Sequence, residues 1–266
     1  MPRPPRPSLL ALAAAVWCAG ALACATKHTT ISGTLKLGTT AEDNYQRGMD
    51  ELKDHHNAEA ARFFEYVKSK YPFSPVSARA ELRIADIRMA DGRDLEAAEA
   101  YERFVKDHPS SDEIDYAQFR AGVAHLRAAP PDFALFPPLQ EKDQRETEKA
   151  AAALRAVLEK YPNSQYVPEA RKSLQKADDL LAKRELYVGD FYYKRGFYAG
   201  AAGRYQELVD AYPSTSLAEP TLLKLAHTYV RMNEKHLARQ ALQRLITQHP
   251  DSRERPEAEK LLASLR

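Results

Sequence analysis

A chemical site needs nucleophiles, acid–base pairs or metal ligands held at fixed spacing, and this sequence is poor in all three. No HExxH, GxSxG, glycine-rich phosphate loop or paired CxxC occurs in its 266 residues. The eight histidines are scattered. His55 and His56 are adjacent, so on a helix they would point about 100° apart, which suits a shared metal badly. They read as solvated loop residues. His108 and His249 each precede a proline in a recurring motif and read as packing residues. Carboxylates are plentiful, but in runs such as EKDQRETEK they interleave with Lys and Arg, the pattern of a solvated helix face. Neither an enzyme nor a cofactor is expected.

The residue in the most telling context is Cys24. Arg3 and Arg6 precede the apolar run SLLALAAAVWCAGALA, which is 16 residues long and ends on small residues. A basic head, a short apolar stretch and a small-residue break are the signature of a secretory signal. A membrane span needs about 20 apolar residues. ALAC, residues 21–24, is similar to a bacterial lipobox, in which a lipidated cysteine becomes the new N-terminus. Leu22 stands two places before the cysteine rather than the usual three, and Ala21-x-Ala23 also fits ordinary signal-peptidase cleavage. Acylation of Cys24, as with palmitate, is the favoured reading because the cysteine sits where the apolar run stops. Removal of the segment before Cys24 leaves one of the two cysteines, so no internal disulfide forms. Residues 25–40, ATKHTTISGTLKLGTT, show no helical pattern and read as a flexible tether. The expected layout is a signal peptide over 1–23, an anchor and tether over 24–40, and a folded body over 41–266.

Net charge narrows the partners. The chain carries 39 Lys+Arg against 37 Asp+Glu, and loss of Arg3 and Arg6 leaves 37 against 37. Nucleic-acid binding, which needs a basic face, is not expected.

The body is organised by a repeat. Tyr or His, then Pro, any residue and Ser or Thr occur five times, in YPFS, HPSS, YPNS, YPST and HPDS, with the prolines at 72, 109, 162, 213 and 250. Twelve residues before each proline stands an alanine (Ala60, Ala97, Ala150, Ala201, Ala238) and eight before it a large apolar residue (Phe64, Tyr101, Leu154, Tyr205, Leu242). Residues four apart share one helix face. Twenty-four before the proline come Gly48, Ala85, Gly189 and Ala226, and only the third repeat breaks this register. Self-similarity at this period, with small residues where two helices meet, resembles the tetratricopeptide repeat. The fold class expected is therefore an all-α solenoid of about five helix pairs. Proline ends each second helix, and the hydroxyl that follows is expected to cap the next one. Ser74 before Pro75 and the boxes Ser110-x-x-Glu113 and Ser216-x-x-Glu219 are the candidate caps.

Two intervals are longer than 37 residues. APPDFALFPPLQEKDQRE, residues 129–146, carries paired prolines that forbid continuous helix, so the third repeat contains an inserted loop. From Val167 to Arg195 one proline near the start permits a single long helix, whose extra 14 residues make close to four turns. The spacing predicts helices over 41–53, 57–70, 75–90, 94–107, 112–128, 146–160, 167–195, 198–211, 217–231, 235–248 and a terminal 254–265.

The segments KYPFSPVSARAELRIADI, HPSSDEIDYAQFRAGVA, EKYPNSQY and ELYVGDFYYKRGFYAGAAGRYQELVDAYP together resemble the BamD family of outer membrane protein assembly factors. The insertion and the long helix fall where that family has them. The resemblance implies a lipoprotein on the periplasmic face of the outer membrane, without catalysis or cofactor, in the complex that folds and inserts β-barrel proteins. It implies unfolded barrel proteins and the periplasmic domains of BamA as partners, with accessory lipoproteins of the same complex beside them. A soluble periplasmic repeat adaptor of the Tol-Pal type is the rival reading, disfavoured because the tether shows no heptads. Under the resemblance, a peptide-binding groove falls to Tyr45, Met49, Arg79, Leu82, Asp86 and Met89 on the first helices of the early repeats, with Tyr71 and Phe73 at the turn beside it; ordinary packing between repeats is the equal alternative for Leu82 and Met89. A partner contact falls to Arg204, flanked by Gly200 and Gly203. Glycine inside a helix costs roughly 1 kcal/mol against alanine, so those two require a compensating cause.

Overall fold

A computed structural model describes residues 35–130 and 139–265. Cys24, the apolar run before it and most of the expected tether lie outside these residues. Among the described residues there is no strand. Eleven α-helices follow one another: α1 (Ala41–Lys53), α2 (Asn57–Lys70), α3 (Pro75–Ala90), α4 (Asp94–Asp107), α5 (Ile114–Ala128), α6 (Arg145–Lys160), α7 (Val167–Lys194), α8 (Tyr198–Ala211), α9 (Ala218–Arg231), α10 (Lys235–Gln248) and α11 (Arg255–Ser264). None is long and apolar enough to cross a membrane.

Odd and even helices up to α10 form five antiparallel pairs, each even helix packs on the next odd one, and α11 closes the end of the stack on α10. This is a tetratricopeptide-repeat solenoid. α1 also touches α3, α5 touches α7 and α7 touches α9, whereas the even helices of neighbouring repeats stay farther apart. The odd helices therefore form the inner layer.

The repeated alanines and large residues build the core. Ala60, Ala97, Ala150, Ala201 and Ala238 are wholly buried, as are Phe64, Tyr101, Leu154, Tyr205 and Leu242 to within 1%. The small residue of each odd helix exists for the large one of its partner. A Cβ on Gly48 would stand 2.7 Å from Phe64 Cε1, and one on Gly189 would stand 2.5 Å from Tyr205 Cε1. The third repeat keeps the same contact through Gly122, where a Cβ would meet Leu154 Cγ at 2.6 Å. The interval of 53 residues exceeds 37 by 16, and 16 residues are what separates Gly122 from the expected position 138. The apparent break in register is the insertion alone. Its visible part ends in a 3₁₀ turn, Leu139–Glu141, to which the Tyr187 hydroxyl of α7 is bonded through Glu141.

The Tyr/His-Pro-x-Ser/Thr motif is a turn repeated five times. The Tyr or His ends a helix: the N–H groups of Tyr71, His108, Tyr161, Tyr212 and His249 still bond the carbonyls of Val67, Phe104, Val157, Leu208 and Leu245. Its own backbone has left the helical region, as a residue before proline must. Its carbonyl then accepts the N–H of Ser74, Ser111, Ser164, Thr215 or Ser252 at 2.9–3.2 Å, with proline at the second turn position.

The hydroxyls do not cap as expected. Ser74 stands at the N-cap with Pro75 next to it, but its side chain makes no cap bond. The Ser110 and Ser216 boxes are absent, because α5 begins at Ile114 and α9 at Ala218. Instead Ser111, Ser164 and Ser252 accept the N–H of Glu113, Tyr166 and Glu254, the residue just ahead of each helix, at 3.1–3.2 Å. One threonine of the tether does cap: Thr40 Oγ1 accepts the Asp43 N–H at 3.1 Å. Asn44 binds both the N–H and the carbonyl of Gly38, fixing the entry to α1.

Candidate functional site

The inner face of the first three repeats carries a continuous strip of aromatic rings roofed by arginines. Eleven residues after the motif proline, α3 bears Arg83 and α5 bears Arg120. Arg79, one turn earlier on α3, lies 4.9 Å from the centre of the Tyr45 ring of α1. Arg83 lies 5.2 Å and Arg120 5.7 Å from the Tyr116 ring of α5. Tyr116 meets Tyr166 at 5.4 Å, and Tyr166 stacks on Phe119 with planes 9° apart. Planar guanidinium groups on ring faces gain cation–π attraction while their N–H groups stay free to bond carboxylates.

Asp86 holds this strip together. Its Oδ1 accepts from Tyr116 Oη at 2.5 Å and from the Tyr101 hydroxyl, while Arg83 Nε stands 3.3 Å from its Oδ2 and Arg120 3.5 Å from its Oδ1. Glu113 bridges Arg79 at 3.5 Å and Arg83 at 2.8 Å. Burial, and next the Asp86 carboxylate, push the Tyr101 and Tyr116 hydroxyls far above the ordinary phenol range, so both remain donors. Three arginines face two carboxylates, leaving one excess positive charge.

The expected groove is corrected in four of its members, Leu82, Met89, Asp86 and Tyr45. Leu82 and Met89 are at most 1% exposed, packed between α3, α4 and α5, and offer nothing to a ligand. Asp86 is occupied by its four neighbours rather than open. Tyr45 is buried beneath Arg79, and Met49 packs half-buried against the first core. The Tyr71 hydroxyl reaches the Thr39 carbonyl, and Arg79 is half-exposed. Phe73 stands 99% exposed at the turn before α3. Arg83, Tyr116, Arg120 and Tyr166 were not anticipated. The signal available for the arginines was a cation eleven residues past the proline, which recurs as Lys224.

A second open region lies between α6, α7 and α8, a groove of about 460 Å³ lined by Glu148, Arg184, Glu185, Gly200, Gly203 and Arg204. Arg204 Nη1 is 3.1 Å from Glu185 Oε2. A Cβ on Gly200 would approach the Tyr192 ring at 3.3 Å, so internal packing accounts for that glycine in part. A Cβ on Gly203 would meet nothing within 4 Å. The protein's own packing does not require glycine there.

The described residues thus define a tetratricopeptide-repeat protein with a charged aromatic inner face. The chain belongs to the YfiO family of outer membrane lipoproteins, whose model matches residues 38–245. It is 27% identical over 239 residues to the outer membrane protein assembly factor BamD of Neisseria meningitidis serogroup A, covering 86% of this chain and 87% of that one. It is 28% identical over 213 residues to BamD of Vibrio cholerae, covering 74% and 88%. Among solved structures it is similar to the TPR domain of P58(IPK), with a TM-score of 0.42 and 16% identity over 83% of this chain and 65% of that one.

Proposed function

We propose that this chain is a non-enzymatic lipoprotein scaffold of the β-barrel assembly machinery. Acylated Cys24 anchors it to the periplasmic face of the outer membrane, the tether spans from the lipid to the body, and the repeats gather the partners. Membership of the YfiO family and the likeness to BamD proteins support a role in outer membrane protein assembly. Unfolded outer-membrane proteins are received on the inner face of repeats 1–3. BamA docks on the groove between α6 and α8 through Arg204, Gly200 and Gly203, and accessory lipoproteins of the complex are further partners.

The observation that carries this reading is the strip from Tyr45 to Tyr166. Extended chains present side chains and unpaired backbone groups. The partly exposed Tyr116, Phe119 and Tyr166 rings take their apolar side chains, and the half-exposed Arg79 can pair a carboxylate with two parallel hydrogen bonds. The single excess positive charge suits a segment bearing an aromatic residue and one carboxylate.

Photo-crosslinkers at Arg79 and Phe73 are expected to capture a C-terminal peptide of an outer-membrane barrel protein. Capture confined to positions on α9 and α10 sinks the assignment of this face. Anchoring is tested separately: Cys24→Ser is expected to move the protein from the membrane to the soluble periplasmic fraction. A wild-type chain that takes up no labelled palmitate rules the anchor out.

A further inference from the structure

Repeats 4 and 5 contain a cavity that the scaffold role leaves unused. It measures about 430 Å³ and is lined by Asp190, Tyr193 and Lys194 of α7, Tyr205 of α8, and Lys224 and His227 of α9. Ligand pockets run from about 300 to 1,000 Å³, so the space is adequate for a side chain or a chain end. We propose that it binds a carboxylate carried on an apolar stem and presented by a partner polypeptide.

The polarity of the ligand follows from an inventory of donors. Asp190 is filled: Oδ1 accepts from Tyr205 Oη at 2.6 Å and from Lys224 Nζ at 2.7 Å, and Oδ2 accepts from Lys224 Nζ at 2.8 Å. Lys224 spends two of its three protons on that carboxylate and keeps one. His227 Nε2 lies 3.0 Å from Glu257 Oε1, outside the cavity. Lys194 pairs with no described residue and keeps all three protons at the end of α7. The unused charged groups are therefore both donors, Lys194 and the remaining proton of Lys224; the Tyr193 hydroxyl and His227 Nδ1 can bond either way, so an accepting, anionic group is what answers the excess.

Charge sets the ligand's magnitude. Two lysines less one aspartate leave one positive charge, which matches a monoanion better than a doubly charged phosphate. The Tyr193 and Tyr205 rings set the rest, because their faces make an apolar wall that a bare inorganic ion does not fill. An ammonium beside such a wall holds a carboxylate more firmly than it does in water.

The corresponding positions of repeats 2 and 3 show that the cavity is a local departure from the repeat. Tyr193, Lys194 and His227 stand where that half of the chain has Met89, Ala90 and Val123. There Met89 is core at 1% exposure, Val123 is half-buried and Ala90 is exposed, so that half of the chain has neither the ring nor the charges.

The test uses the full chain and three fluorescein-labelled peptides with the same apolar residues, read by anisotropy. One ends in leucine with a free carboxylate, the second is its amide, and the third is an amide with an internal glutamate beside leucine. The expected result is that a carboxylate-bearing peptide binds at least tenfold more tightly than the plain amide. Lys194→Met abolishes that preference and Lys194→Arg keeps it. Preference for the free acid alone identifies a chain terminus as the ligand, and equal preference for the glutamate peptide identifies a side chain; both support the site. Equal binding of all three peptides overturns it, as does an unchanged preference in Lys194→Met with the helical signal intact. Arg79→Glu, on the inner face of repeats 1–3, is expected to leave the preference intact. Loss of the preference with Arg79→Glu would move binding to that face and overturn this site, without touching the reading of the face itself.

Discussion

Asp86 and Asp190 occupy the same place in repeats 2 and 4, twenty-three residues before the motif proline. Each accepts from the tyrosine fifteen residues on, Tyr101 or Tyr205, and each faces a cation thirty-four residues on, Arg120 or Lys224. The surroundings then diverge. Tyr116 and Arg83 close over Asp86, whereas their counterparts beside Asp190 are Pro220 and Tyr187. The Asp86 side chain is 19% exposed and that of Asp190 is 32%. One chemical triad thus serves two ends. Sealed by an extra ring and an extra arginine, it ties the inner face of repeats 1–3 together; left open, it floors a cavity.

The largest test of this difference removes each aspartate in turn. Taking one partner from a buried, charged network leaves the others desolvated and unpaired, at a cost of about 3–5 kcal/mol. Asp86→Ala strands two tyrosine hydroxyls and Arg120, while Arg83 keeps Glu113, so a loss of about 3 kcal/mol is expected. Asp190→Ala strands one hydroxyl and a lysine that water can reach, so about 1 kcal/mol is expected. Urea unfolding of both variants measures the gap. Equal losses would mean that Tyr116 and Arg83 add nothing to the seal.

A second pair of positions sharpens the contrast through pH. His125 on α5 is wholly buried, with Nδ1 2.6 Å from Glu146 and Nε2 2.9 Å from Glu102. Each ring nitrogen thus lies within hydrogen-bond distance of a carboxyl group. In repeats 4 and 5 the same positions hold Tyr229 and Gln206, joined by a neutral bond of 3.3 Å. Burial raises the Glu146 carboxyl, but its hydrogen bonds from His125 and Lys149 outweigh that and leave it below the usual range. A carboxyl lowered in the folded state contributes stability above its unfolded pKa and loses it as pH falls through the folded one. As pH falls from the ordinary carboxylate range through the lower folded value, the α5–α6 contact is therefore expected to loosen. Hydrogen exchange resolved by segment across pH 3–6 follows it. His125→Gln is expected to flatten the response of α5 and α6 and to cost about 2 kcal/mol at neutral pH, since it leaves a carboxylate contact unmade. An unchanged response of α5 and α6 in His125→Gln would remove Glu146 as the cause.

These contrasts mark where the sequence is legible. The helix bounds are written locally: Pro162 stops a helix wherever it falls, and Ala150 with Leu154 defines a face within one turn. The predicted 167–195 and the observed Val167–Lys194 differ by one residue for that reason. Gly122 was hidden only by the insertion. The Ser110 and Ser216 caps failed because a helix beginning one or two residues later changes which N–H the serine meets, and the sequence pattern is the same either way. The Asp86 network was illegible for another reason. Its members stand 3, 15, 30 and 34 residues away, so the aspartate looks like any solvated carboxylate until the repeats are stacked. Leu82 and Met89 were misplaced by the same long-range packing. An odd helix of this solenoid is buried on two sides, and only register against α4 and α5 tells which side each residue takes.

The smallest expected effect concerns the groove beside the open triad, where Gly203 and Arg204 lie. Glycine to alanine within a helix contributes about 1 kcal/mol when the methyl meets no obstacle. Gly203 is six residues into α8 with open space around its missing Cβ, so Gly203→Ala is expected to raise stability by up to about 1 kcal/mol. Gly189→Ala, on the preceding helix, is expected to lower it, because the Tyr205 ring stands 2.5 Å from the new methyl and is fixed by Asp190. Thermal melts of the two variants separate a glycine kept for the fold from one kept for a partner. The same variants then test docking. If the smooth surface at Gly203 receives a partner's backbone, Gly203→Ala weakens co-purification of BamA while the melt rises. Arg204→Gln, which removes the charge facing the largely buried Glu185 without setting a second carboxylate against it, is expected to weaken co-purification more than it lowers the melting temperature. A stabilised Gly203→Ala chain that retains BamA at moderate salt would show that the glycine is there for neither purpose, and would move the contact elsewhere on α7 and α8.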